Sequence, residues 1–226
     1  MGGPVDESAA GLSDRPSVVW VDVTASTNDD VMALAREGAP AGTAIVARTQ
    51  TAGRGRLGRI WETTPGSLAL SVLLRPTVAT LRWPVLVLSG VAEVANLLGL
   101  RIKWPNDLVL VDGRKVGGVL AEADTRSGAL VIGLGINVTT APPGAGWLSE
   151  VGPVPADLPG CVVSALCDAV DDLSMWRARA WGLERPVSVA GVEGVAIGVA
   201  DDGALCVRTA SGAVVRVLAG DVRMIG

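Results

Sequence analysis

A short stretch of glycines and arginines is the part of this sequence best suited to hold an anion. Thr51–Trp61, TAGRGRLGRIW, contains three glycines, three arginines and no acidic residue, although the 226-residue chain has a net charge of −4. Glycine lets the backbone come close to a ligand, and the arginine fork matches carboxylate and phosphate oxygens. The stretch predicts an anion-binding loop, the Gly-Arg loop; a solvated surface loop is the alternative.

The Gly-Arg loop does not fit the common nucleotide-binding motifs. Gly53–Gly58 matches the bare GxGxxG spacing, but a dinucleotide-binding loop opens into a helix and is followed by an acidic residue about 20 positions later. Here a predicted strand follows, and no acidic residue lies between Glu62 and Glu93. Because the Walker pattern is also missing from the sequence, we reject both motifs.

A second group of reactive side chains is Lys103–Asp107, KWPND, which combines a cation, an aromatic ring, an amide and a carboxylate. Asp107 is a candidate ligand for Mg²⁺, which binds oxygen ligands and substrate phosphates. Asn106 can hydrogen-bond to a base or a phosphate. Pro-Asn-Asp also favours an ordinary turn, so that alternative stays open.

Lys115 follows a predicted Asp112-Gly113 hairpin turn and precedes Gly117 and Gly118. Its place predicts a side chain lying over a ligand close to the sheet. Lys103 and Lys115 are the only lysines in the chain. This rarity favours a need for a compact charge that arginine cannot supply, with compositional bias as the alternative.

A third pattern is a pair of glycines, which have no side chain, inside one predicted strand. Gly133 and Gly135 lie in GLGIN, which ends at Asn137. Glycine inside a strand often marks the close approach of another group. The segment therefore predicts that something packs directly on this strand.

Composition excludes several kinds of chemistry. The chain has no histidine, which removes Ser-His-Asp and Cys-His catalysis and any His-ligated metal. Three cysteines without a CxxC spacing argue against a disulfide framework or a zinc site. No apolar run is long enough to span a membrane, and the N-terminus lacks the basic and apolar regions of a signal peptide. We therefore expect a cytoplasmic protein without a membrane anchor.

The apolar pattern predicts a mixture of strands and helices that positions these motifs. Strands are predicted at 18–23, 43–49, 67–74, 101–104, 108–111, 116–123 and 130–138. Helices are predicted at 27–37, capped by Ser26 or Thr27, at 83–98 and at 161–180. The Pro-rich segment 142–159 predicts a loop. From Pro186 onward, short Val-rich strands alternate with two turn pairs, Asp202-Gly203 and Ser211-Gly212, and predict a small barrel of SH3 type. We divide the chain into a flexible tail, 1–17, a catalytic domain, 18–184, and a C-terminal domain, 185–226.

In this order, the motifs resemble those of the biotin–protein ligases, also called biotin–acetyl-CoA-carboxylase ligases. The matching segments are Ser26–Asn28, Gln50–Trp61, KWPNDL, GRKVGGVLAE and GLGINV, and they cover Val18–Val138. The end of the chain resembles the SH3-like C-terminal domain of the family and closes on Ala219–Val222. The resemblance implies an α+β fold: a mixed sheet flanked by helices, of the class II synthetase-like or biotin–lipoate ligase type, followed by an SH3-like barrel.

The resemblance implies a two-step reaction. ATP and Mg²⁺ activate the carboxylate of biotin as biotinyl-5′-AMP, and biotin then passes to a lysine of a biotin carboxyl carrier domain of a carboxylase. No protein nucleophile is needed, which agrees with the missing histidine. A lipoate–protein ligase is the nearest alternative, but GRGRLGR and the C-terminal barrel favour the biotin type. A non-catalytic module whose loop clamps nucleic acid is a second alternative.

The resemblance also assigns roles to residues. It implies catalytic roles for Lys115, Arg54 and Asp107, the last as the Mg²⁺ ligand. The residues it implies for biotin are Ser26, Thr27, Asn28, Gln50, Arg54, Gly55, Arg56 and Lys115. Those it implies for ATP are Arg56, Arg59, Trp61, Asn106 and Asn137, with Trp61 near adenine. The Gly-Arg loop is expected to close over the adenylate and keep water from the anhydride.

Two features depart from the family pattern. Only 25 residues precede Ser26, too few for the helix-turn-helix domain of the members that repress transcription. Because the net charge is also negative, we expect a monofunctional ligase that does not bind DNA. The connector 140–160 matches the family only loosely. A homodimer is compatible with the resemblance, and no residue decides it.

Overall fold

The computed structural model describes residues 18–225, and the predicted flexible tail, 1–17, lies outside the described residues. The strands are β1 Val18–Thr24, β2 Ala44–Gln50, β3 Ser67–Leu74, β4 Arg101–Lys103, β5 Asp107–Val109, β6 Lys115–Asp124, β7 Ala129–Asn137, β8 Ala180–Trp181, β9 Pro186–Val189, β10 Val192–Val199, β11 Leu205–Arg208, β12 Val214–Val217 and β13 Arg223–Met224. The helices are α1 Thr27–Arg36, α2 Trp83–Leu97, α3 Leu158–Cys167 and α4 Ser174–Arg179.

The first eight strands form one mixed sheet in the order β1-β2-β3-β7-β6-β5-β4-β8. Two pairs, β1 with β2 and β4 with β8, are parallel, and the others are antiparallel. All nine residues of the central strand β7 are buried, as expected for a strand that is covered on both faces. This sheet with its helices confirms the predicted α+β architecture.

The helices that pack on the sheet differ in how much of their surface is apolar. Helix α2 is mostly apolar, with ten of its 15 residues buried, and it packs in the main core beside α3 and α4. Helix α1 has a narrower apolar side, where Val31 and Ala35 pack against Leu73 and Val131 in a second, smaller core. No helix in the described part of the chain is long and apolar enough to cross a membrane.

The last five strands form a separate antiparallel sheet in the order β12-β11-β10-β9-β13. Both predicted turn pairs are present, because Gly203 and Gly212 have φ values of +88° and +84°. The closure of this sheet into an SH3-type barrel stays a prediction. The chain passes from the first sheet to the second between Trp181 and Pro186, and the predicted domain boundary at 184/185 falls in that interval.

The single helix predicted over 161–180 is wrong, because the chain breaks it into α3 and α4. Helix α3 ends with Asp168 as its C-cap, and the carboxylate of Asp172 then accepts a hydrogen bond from the Ser174 backbone N–H at 2.9 Å. Asp-x-Ser therefore begins a new helix, in the way that aspartate competes with regular helix hydrogen bonding. Asp171, which lies between the two helices, also pairs with Arg82, whose Nη2 is 2.6 Å from Asp171 Oδ1.

The connector predicted as a loop over 142–159 contains more structure than expected. It includes a short 3-10 turn at Leu148–Glu150, and α3 begins inside it at Leu158. The Asp157 side chain caps α3 by accepting from the Gly160 N–H at 3.0 Å. Proline at the first turn of this helix is tolerated because its missing N–H has no partner there.

Candidate active site

A cleft lies between the start of α1, the Gly-Arg loop and strands β5, β6 and β7. Every residue predicted for the site lines it except Asn137. The predicted residues in its lining are Ser26, Thr27, Asn28, Gln50, Arg54, Gly55, Arg56, Arg59, Trp61, Asn106, Asp107 and Lys115. The motifs thus converge on one place, although their roles there stay predictions.

A neutral hydrogen-bonded group stands at one wall of the cleft. Thr27, Asn28 and Gln50 line the cleft, and the buried Ser71 bonds to two of them; we call these four residues the amide cluster. Gln50 Oε1 accepts from the backbone N–H and the hydroxyl of Thr27, at 2.9 and 3.1 Å. Ser71 Oγ lies 2.7 Å from Thr27 Oγ1 and 2.6 Å from Asn28 Oδ1. Thr27, Asn28 and Ser71 are all buried. A buried network of this kind fixes its donors and acceptors before any ligand arrives.

The start of α1 explains why these side chains face the cleft. Ser26 has the extended backbone of an N-cap residue, and its carbonyl accepts from the Asp30 N–H at 3.2 Å. The predicted side-chain cap is wrong for Ser26, which makes no capping bond, and Thr27 turns its hydroxyl to Gln50 instead. The Thr27 side chain is thus held by the site and not by the helix, and Ser26 lines the cleft.

The Gly-Arg loop forms a small hairpin. Arg54 and Ile60 form a bridge, the Gly55 N–H donates to the Arg59 carbonyl at 2.7 Å, and the Trp61 N–H donates to the Gly53 carbonyl at 2.9 Å. A Cβ on Gly53 would overlap the Trp61 carbonyl oxygen. The glycine is therefore required where the two sides of the hairpin meet.

The two glycines of β7 confirm the predicted close approach. A Cβ on Gly133 would overlap the Asn28 amide, and a Cβ on Gly135 would overlap the indole ring of Trp61. The indole N–H of Trp61 is buried without a hydrogen-bond partner in the described part of the chain. Because a buried indole N–H usually finds an acceptor, this group is a candidate ligand contact.

A second wall carries the positive charge of the site on Arg56, Arg59 and Lys115; together with their neighbours Asn106 and Asp107, these residues form what we call the cation cluster. Lys115 Nζ lies 2.6 Å from Asp107 Oδ1. Gly118 lies beside this pair, since a Cβ there would be 3.2 Å from Lys115 Nζ. Arg56 donates to the Asn106 side-chain oxygen at 3.1 Å.

The C-terminal sheet reaches the cation cluster through the turn before β13. Arg59 Nη2 lies 3.0 Å from Asp221 Oδ1, and Arg56 donates to the Gly220 carbonyl at 3.4 Å. The two parts of the chain therefore meet at the Gly-Arg loop. From the sequence, Asp221 was noted only as part of the Ala219–Val222 motif, and no pattern indicated this contact.

Arg54 differs from the other arginines of the loop because two carboxylates surround it. Its two terminal nitrogens each lie 2.7 Å from an oxygen of Asp29, and one of them lies 3.2 Å from Glu122. The hydrogen bonds from Arg54 hold the pKa of Asp29 below its usual range, and the Asp29 carboxylate raises the pKa of Arg54. The predicted catalytic arginine thus already has its charge matched inside the protein.

Comparison with known families identifies the chain. The model of the biotin/lipoate A/B protein ligase family matches residues 20–137, and the model of the biotin protein ligase C-terminal domain matches residues 182–224. The chain belongs to the biotin/lipoate A/B protein ligase family. The family match ends at Asn137, and the C-terminal match covers the second sheet from just before β9.

Individual relatives give the same grouping. The bifunctional ligase/repressor BirA of Bacillus subtilis is 38% identical over 136 residues, which cover 55% of this chain and 41% of that protein. The biotin--[acetyl-CoA-carboxylase] ligase of Mycobacterium tuberculosis is 36% identical over 231 residues, 88% of this chain and 85% of that protein. The chain thus spans about two fifths of the first relative and most of the second.

The fold also matches a solved member of the family. The biotin protein ligase of Aquifex aeolicus, solved in complex with biotin and ATP, superposes with a TM-score of 0.72 at 26% identity. The match covers 92% of this chain and 98% of that one. The order of the two sheets is therefore that of a biotin protein ligase.

Asn137 is the predicted site residue that does not line the cleft. It is buried at the end of β7, and its amide donates to the Gly146 carbonyl at 3.1 Å. The Gly146 N–H in turn donates to the Lys115 carbonyl at 2.9 Å. Asn137 therefore holds the connector beside Lys115 without lining the cleft, and its role toward ATP stays a prediction.

The described residues provide few ligands for a metal ion. No group of three or more His, Cys, Asp or Glu side chains in residues 18–225 is placed to hold one. Asp107 is a single carboxylate, and Lys115 contacts only its Oδ1 oxygen. Mg²⁺ is often bound through one or two carboxylates together with substrate phosphates. Asp107 thus fits a Mg²⁺ that is held mainly by a nucleotide.

Three residues of the site were missed from the sequence: Ser71, Asp29 and Glu122. Ser71 lies in the apolar strand SLALSVLL. A polar residue within such a buried strand was the one signal in the sequence that could have identified it. Asp29 belongs to none of the motifs, and Glu122 was noted only as the end of the GRKVGGVLAE motif. Neither pattern shows that both carboxylates meet Arg54, 25 and 68 positions away in the chain.

Proposed function

We propose that the chain is an ATP-dependent biotin–protein ligase. In the first step a carboxylate oxygen of biotin bonds to the α-phosphorus of ATP, the bond to pyrophosphate breaks, and biotinyl-5′-AMP forms. In the second step the amine of a carrier lysine bonds to the biotinyl carbonyl carbon, the bond to AMP breaks, and the nitrogen loses a proton. The acceptor is a lysine on the biotin carboxyl carrier domain of a carboxylase.

The observation that carries this proposal is the joining of the amide cluster and the cation cluster in one cleft. Biotin has a neutral ureido group with donors and acceptors at one end and a carboxylate at the other. The amide cluster suits the first group, and Lys115 with Arg56 suits the second. The ring of lipoate has no hydrogen-bonding groups of this kind, so it would leave a polar wall unmatched.

Lys115 has the main electrostatic role in the proposal. A carboxylate and a triphosphate repel each other, and their approach is favoured by a cation already fixed at the reacting atoms. Asp107 holds the ammonium at 2.6 Å, and Gly118 leaves room beside it. Lysine presents a compact charge with three donors, which can serve a carboxylate and an α-phosphate together.

The nucleotide would occupy the rest of the cation cluster. Arg59 and the indole N–H of Trp61 would contact it, and Asn106 would stay with Arg56. Mg²⁺ bound with ATP would neutralise phosphate charge, and Asp107 is the residue that would hold it. The biotin and ATP bound to the Aquifex aeolicus relative support these two substrates for a chain of this fold.

The test is biotin-dependent exchange of pyrophosphate into ATP, with lipoate as the competing acid. We expect exchange with biotin and none above background with lipoate, followed by transfer to a purified carrier domain detected with streptavidin. Exchange driven by lipoate alone would assign the chain to the lipoate type. Absence of exchange with either acid, together with salt-sensitive binding of a polynucleotide, would instead support the non-catalytic alternative.

A further inference from the structure

The side chain of Arg54 is turned away from the role that its motif implies. Both terminal nitrogens of its guanidinium group contact Asp29, in the paired geometry that arginine and carboxylate favour. One of the two also lies 3.2 Å from each oxygen of Glu122. The side chain of Arg54 is thus shared between the first turn of α1 and the end of β6.

The charges of this group decide what Arg54 can do. One guanidinium faces two carboxylates, so Arg54, Asp29 and Glu122 together carry one net negative charge. A group of that charge cannot offset the repulsion between a carboxylate and a triphosphate. That task falls to the cation cluster, where each cation has at most one carboxylate beside it.

Glu122 makes a further contact that links Arg54 to the amide cluster. Its Oε2 accepts from the Asn28 amide nitrogen at 2.6 Å, while Asn28 Oδ1 lies 2.6 Å from Ser71 Oγ. An ionised carboxylate only accepts hydrogen bonds, so Glu122 determines which way the Asn28 amide is turned. Glu122 faces this side because residues two apart on β6 share a face, and Leu120 on the same face lines the cleft.

We propose that Asp29 and Glu122 are positioning residues. With Arg54 they form a brace, the Arg54 brace, which ties the start of the Gly-Arg loop to α1 and β6 and fixes the amide of Asn28. Arg54 acts in this brace and does not contact the reacting groups. The effect on biotin rests on the proposed function, whereas the effect on the loop does not.

The loop is tested directly by limited trypsin digestion, because Arg54, Arg56 and Arg59 are cleavage points within it. The variants are Asp29→Asn, Glu122→Gln and the two combined. The matched control is Asp22→Asn, which breaks the exposed Arg48–Asp22 pair, 3.2 Å long, between β1 and β2. The first cut is located by mass spectrometry, and the melting temperature is recorded so that general unfolding is recognised.

We expect the double variant to be cut within 54–59 about three to ten times faster than wild type, since the pairs that hold the loop are partly exposed. Asp22→Asn should be cut there at the wild-type rate. Cleavage of the double variant at the wild-type rate would overturn the brace. This readout needs neither biotin nor ATP, so it stands even if the chain activates another acid.

The second measurement separates the loop from the amide of Asn28. Glu122→Gln keeps an oxygen for Asn28 but loses the charge for Arg54, whereas Glu122→Ala loses both. We expect the KM for biotin to rise about threefold with glutamine and about tenfold with alanine, with kcat nearly unchanged. If Arg54→Ala instead lowers kcat about a hundredfold while the glutamine variant is normal, Arg54 acts on the reactants and the brace is refuted.

Discussion

The amide cluster and the cation cluster meet at the same cleft but are held in opposite ways. Thr27, Asn28 and Ser71 are at most 4% exposed, and their neutral side chains bond to one another. The side chains of Lys115 and Arg59 are 40% and 52% exposed, and each is held by a carboxylate. A buried neutral network forms together with the fold, whereas an exposed ion pair can exchange one anion for another without unfolding anything.

This difference separates recognition from reaction. A buried polar group left without its partner costs about 1–3 kcal/mol, whereas an exposed ion pair contributes about 0.2–1 kcal/mol. Changes in the amide cluster should therefore alter stability and biotin affinity together. Changes in the cation cluster should alter the rate and leave stability nearly unchanged. Substitutions in each cluster test this contrast.

The largest effect is expected for Lys115→Ala. Removing the cation beside the reacting carboxylate and phosphate should lower the rate of adenylate formation about a hundredfold or more, as for other fixed electrostatic groups in active sites. The free energy of unfolding should change by less than about 1 kcal/mol, because the Lys115–Asp107 pair is partly exposed. Pyrophosphate exchange and urea unfolding measure the two quantities.

Two companion variants sharpen the interpretation. Lys115→Arg keeps the charge but not the compact shape, and should recover only part of the rate. Asp107→Asn added to Lys115→Ala removes the carboxylate that the first change leaves unpaired. If the double variant regained wild-type exchange, the loss in Lys115→Ala would come from Asp107, and Lys115 would have no role of its own.

A smaller effect, with the opposite character, is expected for Ser71→Ala. The hydroxyl bonds to Thr27 and Asn28, so its loss should raise the KM for biotin about tenfold and lower the free energy of unfolding by about 1–3 kcal/mol. The matched control is Ser89→Ala, since Ser89 is equally buried but accepts from the Val170 N–H, away from the cleft. That control should lose stability with an unchanged KM.

The contrast would fail if both serine variants raised the KM equally. Equal increases would mean that the KM reports general loosening of the fold. An unchanged KM in Ser71→Ala would remove the amide cluster from biotin recognition. Steady-state exchange at varied biotin, with ATP held saturating, distinguishes these results.

Much of the fold could be predicted from the sequence, because the governing patterns are local. The run in β7 and the apolar helix α2 have the periodicity of buried elements, and Asp202-Gly203 marks a turn by its composition. The failed helix over 161–180 shows the limit. Its apolar spacing continues past Asp172, but one carboxylate bonding to the Ser174 N–H is enough to start a new helix.

The membership of the site could also be predicted, but not the partner of each charge. Motif order brought Arg54, Lys115 and Asn28 to one cleft. Whether a guanidinium meets a ligand or a carboxylate depends on residues far away in the chain, as Glu122 shows for Arg54. Asn137 does not line the cleft for a more local reason, because its amide donates to the carbonyl of Gly146, nine positions further along the chain.

The smallest effect is expected from the pH dependence of Asp29→Asn. Arg54 holds the pKa of Asp29 below its ordinary value of 3.8. A carboxylate with a lowered pKa in the folded state adds stability above its unfolded pKa, and this contribution is lost as the pH falls through the folded pKa. The difference in unfolding free energy between wild type and Asp29→Asn should therefore be constant from about pH 8 to pH 5 and shrink below about pH 4.

The size of that difference should stay below about 1 kcal/mol, because the Asp29 side chain is 56% exposed and its pairing with Arg54 is screened by solvent. Urea unfolding at a series of pH values measures this difference. Asp22→Asn is the control, because the Arg48–Asp22 pair is exposed and has a single contact. A difference that grows as the pH falls would have the wrong sign for a lowered pKa. Such a result would mean that the Asp29 carboxylate does not stabilise the fold at neutral pH. Arg54 would then be free to turn toward the cation cluster.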